Sequence, residues 1–487
     1  MLLLSILFPV LLGLGILLKG AFQNRKTLLA LTGTGLLVTA ALGLAVVFAG
    51  ETELLLFSFG KKLDVYFHVD AMGKLFAVVV NLVWVLSGFY SFEYMKHEQE
   101  ESRFFGFYLM VHGILHGLVF AGGMVTYYLF YELMTLLSVP LILHNRSKEA
   151  IKGGLKYLFY SLFGAYMVLF GLFFLNRFAD TLSFLPGGSL NMAAVAGNEQ
   201  LMLVVAFSMI IGFSVKAGMF PLHAWLPTAH PVAPAPASAV MSGIIVKAGV
   251  LGMIRVVYYL VGADFIRGTW VQTVWMSLAL LTVFMGSMLA YREKVMKKRL
   301  AYSTVSQASY ILFGLSLLQG SAMTGALLHV VFHAVIKSCL FLSAGAIIYK
   351  THKTNVEDLR GIGKEMPIAI WCYTFASAAL IGIPPASGFI SKWYLATGAL
   401  ASGTEIFSWL GPVVLLTSAL LTAGYLLPIT VNGFLPGEDF DYCSLQKKEP
   451  NMTMLLQLMI LGLLAVLLGV FPNMLTSYIA GIAAAVL

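Results

Sequence analysis

The stretch Ser214–Gly249, SVKAGMFPLHAWLPTAHPVAPAPASAVMSGIIVKAG, decides how the chain is read. Lys216 and Lys247 lie in segments otherwise apolar enough to occupy a bilayer, and the proline-rich connector between them carries His223 and His230. Pro221 interrupts the first segment, because an interior proline removes a helix hydrogen bond and clashes with the preceding turn. A lysine at the centre of a membrane helix costs roughly 2.5–3.5 kcal/mol on insertion scales. Two of them beside a broken helix need a functional reason, and ionisable groups at membrane depth mark ion pathways by default.

Composition agrees with a bilayer environment. Of 487 residues, 59% are hydrophobic and 11% charged, against about 25% charged in soluble domains. Apolar runs recur along the whole length, so the expected class is an all-α polytopic membrane protein. The net charge of +8 sits in short connectors and is explained by topology, not by nucleic acid. Cys339, Cys372 and Cys443 have no metal-ligand spacing, so no cluster, zinc or other cofactor is expected in this chain. The apolar N-terminus has no basic region or small-residue cleavage site and reads as a first span.

Fourteen spans are expected, near 2–18, 27–49, 71–92, 104–121, 124–143, 154–175, 201–226, 237–261, 270–290, 301–318, 322–349, 367–400, 409–432 and 452–472. The connectors 19–26, 93–103, 144–152, 227–236, 291–300, 350–366 and 433–451 hold 19 Lys and Arg, and the opposite set holds 4. The basic set belongs in the cytoplasm of a cell (inner) membrane, with both termini outside. YREKVMKKR at 291–299 is the strongest anchor and reads as a topology signal.

Spans seven and twelve are both interrupted. The twelfth reads IGIPPASGFISKWYL, with Pro384, Pro385, Gly388 and Lys392. Paired broken helices in two halves of a chain point to inverted repeats around a mid-membrane site. The expected organisation is three N-terminal helices in 1–103, a five-helix repeat in 104–261, its inverted copy in 270–432, and a loop with a last span in 433–487.

More ionisable groups lie at membrane depth. Glu132 is in span five, and His329, His333 and Lys337 follow one face of span eleven at i, i+4 and i+8. Lipid exposure of Glu132, Lys216, Lys247, Lys337 and Lys392 would cost on the order of 12–17 kcal/mol. They must face one another or trapped water. A buried lysine can give up a proton when a carboxylate moves away, and histidines near neutrality suit the link between lysines. A structural helix–helix hydrogen bond is the competing reading for each. His112 and His116 in span four read as packing histidines, and Lys74 and Lys156 as snorkelling.

The run FPLHAWLPTAHPVAPAPASAVMSG, with Lys216 before and Lys247 after it, resembles the proton-conducting antiporter-like subunit family. That family includes membrane subunits of respiratory complex I, Mrp-type sodium/proton antiporters and energy-converting membrane-bound hydrogenases. The resemblance covers about residues 65–430. It implies that Glu132 pairs with Lys216, that Lys247 bridges, that His329, His333 and Lys337 continue the relay, and that Lys392 ends it. It also implies fourteen helices with two inverted repeats. Lys392 stands where the middle complex I subunit has glutamate, and the chain ends about fifteen residues past span fourteen, without room for the distal subunit's lateral helix. The hydrogenase and Mrp-like branch fits best.

The expected function is ion translocation, of protons with sodium as a second candidate, as a subunit of a redox-driven complex, with proton uptake near His223 and His230. Expected partners are other membrane subunits, a peripheral redox arm and the lipid bilayer. An Mrp-type antiporter subunit is the alternative. A haem protein using His112 with His329 or His333 would leave the mid-span lysines unexplained.

Overall fold

The computed structural model describes residues 1–18, 24–50 and 52–487, so part of the expected connector 19–26 lies outside the described residues. The chain runs α1 (Leu2–Leu18), α2 (Arg25–Phe48), β1 (Glu53–Ser58), β2 (Asp64–His68), α3 (Ala71–Tyr94), α4 (Glu101–Val119), α5 (Met124–Ile142) and α6 (Lys148–Phe178). It continues with α7 (Glu199–Ala217), α8 (Leu226–Val232), α9 (Ala235–Val261), α10 (Trp270–Arg292), α11 (Met296–Ser316) and α12 (Gly320–Thr351). The last elements are α13 (Pro367–Ile381), α14 (Ser387–Leu400), α15 (Ile406–Phe434), α16 (Met452–Val470) and α17 (Asn473–Val486). Among the described residues, 10 helices are long and apolar enough to cross a membrane; Leu2–Leu18, Pro367–Ile381 and Asn473–Val486 are shorter apolar helices.

Burial sorts the helices into centre and rim. The apolar core of α9 is wholly buried and that of α12 is 94% buried, whereas that of α15 is 33% buried. The rim helices present leucine and phenylalanine outward, as at Phe159, Phe173, Leu416 and Leu420. An outward apolar face is what a lipid solvent favours, since every backbone group inside the helix is already paired.

The two broken helices stop by the same chemistry. α7 ends at Gly218, which has φ 79 and whose N–H donates to Ser214 O and Val215 O; Pro221 follows. α13 ends at Gly382, with φ 93 and an N–H to Ala378 O and Ala379 O; Pro384 and Pro385 follow. A left-handed glycine closes a helix without a Cβ penalty, and proline beyond it prevents continuation.

Four details depart from the sequence reading. The connector 227–236 is not an open loop: α8 and the start of α9 occupy it, and His230 is fully buried. The helix of span seven stops at Ala217, not near 226, because Gly218 and Pro221 end it. A hairpin joins α2 to α3, pairing Glu53 with His68 and Leu54 with Phe67. The tail after Pro472 is a further helix, α17, which buries Ile479, Ile482, Ala483 and Val486 on one face. Tyr478 OH ties it to Ala71 O at 2.9 Å.

Candidate functional site

Lys216 sits in the last turn of α7, fully buried. Its ammonium donates to Thr135 Oγ1 at 2.9 Å, Tyr157 OH at 3.0 Å and Ser161 Oγ at 2.8 Å. It also lies 4.4 Å from the Tyr157 ring centroid and 5.3 Å from that of Tyr131. Three hydroxyls and two aromatic faces replace the water that burial removes. The helix C-terminus beside it adds a favourable negative dipole end.

The expected pairing of Glu132 with Lys216 is not formed as an ion pair. Thr135, one turn further along α5, is the residue of that helix that reaches the lysine. Glu132 is flanked by the exposed Leu129, Leu133 and Leu136, and its Oε1 is buried without a hydrogen-bond partner. The two charges still interact through space. Glu132 therefore stands at the rim of the cluster, between the lysine and the outer face.

Lys247 leads to a second cluster. Next to the π turn Met241–Ile245, its ammonium donates to Ser242 O at 2.7 Å and is hydrogen-bonded to His333 Nδ1. Irregular helix turns of this kind recur at functional sites. His333 and His329 lie one turn apart on α12, with ring centroids 5.8 Å apart. His329 Nδ1 is 2.9 Å from Ser391 Oγ, the residue before Lys392. The Tyr310 ring stacks on His329 at 5.5 Å and lies 5.1 Å under the Lys392 ammonium. Lys392 donates to Leu380 O at 2.7 Å and Ile381 O at 2.8 Å. Those carbonyls end α13, so the lysine caps the broken helix. Lys337 extends the line the other way and donates to Leu300 O at 3.1 Å.

The structure thus joins Lys247, His333, His329 and Lys392 in one line, with Lys337 one turn away. Lys216 belongs to a separate cluster. Gly249 packs on α7: an added Cβ would lie 2.6 Å from Phe213 O and 2.9 Å from Lys216 Cβ. Lys247, two residues earlier and about 200° around the helix, points to the other side. His223 Nδ1 and both ring nitrogens of His230 are buried without partners. His223 stacks on Phe220 at 5.8 Å and His230 on Phe341 at 4.7 Å.

His112 and His116 share Asn81 Oδ1, each at 3.0 Å, as a packed polar contact between α3 and α4. Lys156 does more than snorkel, since it donates to Thr228 Oγ1 on α8 at 3.1 Å. Sequence reading missed three sets of residues. The hydroxyls Thr135, Tyr157 and Ser161 carry no signal of their own. The buried Arg255 pairs with the half-buried Asp70, 2.5 Å and 2.8 Å between the closest atoms. Lys297, read within a charge run, is buried and donates to Pro231 O at 3.3 Å and to Ala233 O. The apolar residues around Arg255 could have exposed it, because an arginine inside a run such as GVLGMIRVVYYLV needs an acidic partner.

Comparison with known proteins identifies the family. Residues 121–422 match the family model for NADH:quinone oxidoreductase/Mrp antiporter membrane proteins, and residues 57–105 match that for the N-terminus of complex I chain 5. NADH-quinone oxidoreductase subunit N of Desulforudis audaxviator is 31% identical over 396 residues, covering 78% of this chain and 76% of that protein. Hydrogenase-4 component B of Escherichia coli is 32% identical over 344 residues, 68% of this chain and 50% of the relative, so the chain spans half of that protein. A Na(+)/H(+) antiporter subunit of Alkalihalophilus pseudofirmus is 28% identical over 440 residues, 88% of this chain and 86% of the relative. In fold, a chain of the Mrp complex from Dietzia superposes with a TM-score of 0.85 at 19% identity, over 100% of this chain and 97% of the other. The chain belongs to the NADH:quinone oxidoreductase/Mrp antiporter family of membrane proteins.

Proposed function

We propose that the chain is an ion-translocating membrane subunit of a redox-driven complex of the complex I or hydrogenase type, with the proton as its ion and sodium as a second candidate. The observation that carries this reading is the direct Lys247–His333 hydrogen bond, continued through His329 and Ser391 to Lys392. A lysine bonded to a histidine, a second histidine one turn on, and a second lysine across the Tyr310 ring offer successive proton carriers inside the protein.

The relay is assigned to Glu132, Lys216, Lys247, His329, His333, Lys337 and Lys392, with uptake near His223 and His230. A proton reaches Lys216 or Lys247 from the inner side and leaves outward at Lys392. Glu132, at the edge facing out of the bundle, responds to a neighbouring subunit and sets how Lys216 holds its proton. Fourteen spans and two inverted repeats, α4–α9 and α10–α15, are part of this reading. The matched glycine–proline stops of α7 and α13 support it, as does a lysine beside each of those C-termini. Both termini then face outward across a cell membrane.

Moving one charge against 100 mV costs about 2.3 kcal/mol. The chain's own residues supply proton carriers, so the driving reaction is assigned to partner subunits, including a peripheral redox arm, with no cofactor held here. A sodium/proton antiporter subunit is the second reading, favoured by the antiporter relative aligned over 88% of this chain.

The test uses the assembled complex in proteoliposomes. Lys247→Ala should lower proton translocation by about 10²-fold while subunit content stays unchanged. Wild-type translocation in the assembled variant would refute the relay. Sodium flux through the same vesicles separates the two readings.

A further inference from the structure

A cleft of about 180 Å³ opens where Glu98, Asn145, Pro231, Lys297 and Thr354 meet. These residues come from five of the seven connectors that the Lys and Arg distribution assigns to the cytoplasm. The cleft therefore opens on one face of the membrane. Its walls carry two opposite charges that are not paired with each other. No hydrogen bond or ion pair holds the Glu98 carboxylate among the described residues, although it feels the charge of Lys297. Burial holds that carboxyl above its ordinary value, with Lys297 pulling the other way.

Behind the cleft, the groups follow one another inward. Lys297 donates to the carbonyls of Pro231 and Ala233, one and three residues after His230. The His230 ring has no hydrogen-bond partner and stacks on Phe341, one helical turn from Lys337 on α12. Lys337 in turn donates to Leu300 O, one turn along α11 from Lys297. His230 thus packs against the turn of α12 that follows Lys337, next to the carbonyls that Lys297 holds. A fully buried imidazole with two free nitrogens is costly unless it is used, since buried polar atoms are normally paired.

We propose that this cleft is the inner-side proton inlet, and that Lys297 is the first buried carrier of a branch running through His230 to Lys337. It rests on the relay reading above. One proton moves per passage. The Lys297 ammonium gives its proton to the unprotonated nitrogen of His230. His230 gives the proton of its other nitrogen to the neutral amine of Lys337. The Lys297 amine is re-protonated through cleft water by the Glu98 carboxyl, which recovers its proton from bulk water. His230 returns to its first tautomer by turning its ring.

The test is proton flux into proteoliposomes holding the intact complex, driven by an imposed potassium diffusion potential. Lys297→Arg keeps the charge and can donate to the same carbonyls, but a guanidinium does not release its proton. It should assemble in normal amount and lose flux by about 10²-fold. Glu98→Gln, which disturbs no hydrogen bond, should slow flux by about tenfold or more. Lys337→Met is the reference. If Lys337→Met is inactive while Lys297→Arg has wild-type flux, Lys297 only anchors the connector and the inference falls. Wild-type flux in Glu98→Gln overturns the inlet assignment whatever Lys297→Arg does. Wild-type flux in Lys337→Met would instead sink the relay itself.

Discussion

At the residue scale, the chain keeps lysines charged or chargeable inside the protein in two different ways. Lys216 is held by three hydroxyls, and Lys392 and Lys247 by carbonyls and a histidine. A hydrogen bond to a charged group is worth about 1.5–3 kcal/mol, so each hydroxyl around Lys216 matters to its protonation. Replacing them one at a time tests this. Thr135→Val, Tyr157→Phe and Ser161→Ala each remove one acceptor while nearly preserving volume. Each should leave the complex assembled and lower translocation by roughly tenfold, the equivalent of about 1.4 kcal/mol. Unchanged rates in all three would mean that the helix terminus and the Tyr131 and Tyr157 rings hold Lys216 without the hydroxyls. The lysines were legible in the sequence because charge in an apolar run is costly. Their hydroxyl partners were not, because Thr135, Tyr157 and Ser161 are ordinary helix residues until α5, α6 and α7 pack together.

At the element scale, the broken helices depend on close backbone approach. The second half of span twelve begins at α14, and Gly388 there sits against the end of α13. An added Cβ would lie 1.9 Å from Ala379 O. Backbone cannot yield as a flexible side chain does, so Gly388→Ala must push α14 away from α13 and from the carbonyls that Lys392 caps. The expected result is a thermal unfolding midpoint several degrees lower, with translocation lost. An overpacked site typically costs about 1–3 kcal/mol. Gly15→Ala is the control, since nothing lies within 4 Å of its added Cβ. It should be neutral or slightly stabilising, because alanine favours helix by about 1 kcal/mol over glycine. Proline and glycine placed both breaks in the sequence reading. The hairpin and α17 escaped it for physical reasons. The hairpin strands are short and the first is mostly exposed, and α17 follows a proline with only four buried positions to mark its face. Lys297 escaped because exposed basic neighbours on the same loop gave the whole run one explanation.

At the scale of the whole molecule, two questions remain about how the parts act together. The first is what holds the N-terminal helices to the centre. Arg255 on α9 is 1% exposed and pairs with Asp70, which also caps α3 through Gly73 N–H. Burial alone would raise the Asp70 carboxyl, but the Arg255 guanidinium and the cap hold it below its ordinary value. The stability this contributes is complete above the unfolded carboxylate value, about 3.9, and is lost as pH falls through the folded value. Asp70→Asn should therefore lower thermal stability at neutral pH, by about 3–5 kcal/mol for a buried charge left alone, and flatten the loss on acidification. A melting curve that still falls as steeply in acid would assign that loss to other carboxylates. The second question is whether the Lys216 and Lys247 clusters work in series. The Gly249 face of α9 packs on Lys216 while Lys247 points to the other side, and no hydrogen bond among the described residues joins the clusters. If one proton crosses both, the slower step sets the rate, and a double variant should be little worse than its worse single variant. If each cluster carries its own proton, the defects should multiply. Thr135→Val and Ser391→Ala suit this test, because each removes one hydroxyl and leaves every lysine and histidine of the relay in place, and should leave measurable translocation. A double variant with roughly the rate of the slower single, measured in the same vesicles, places the clusters in series; a rate near the product of the two fractional losses places them on separate paths.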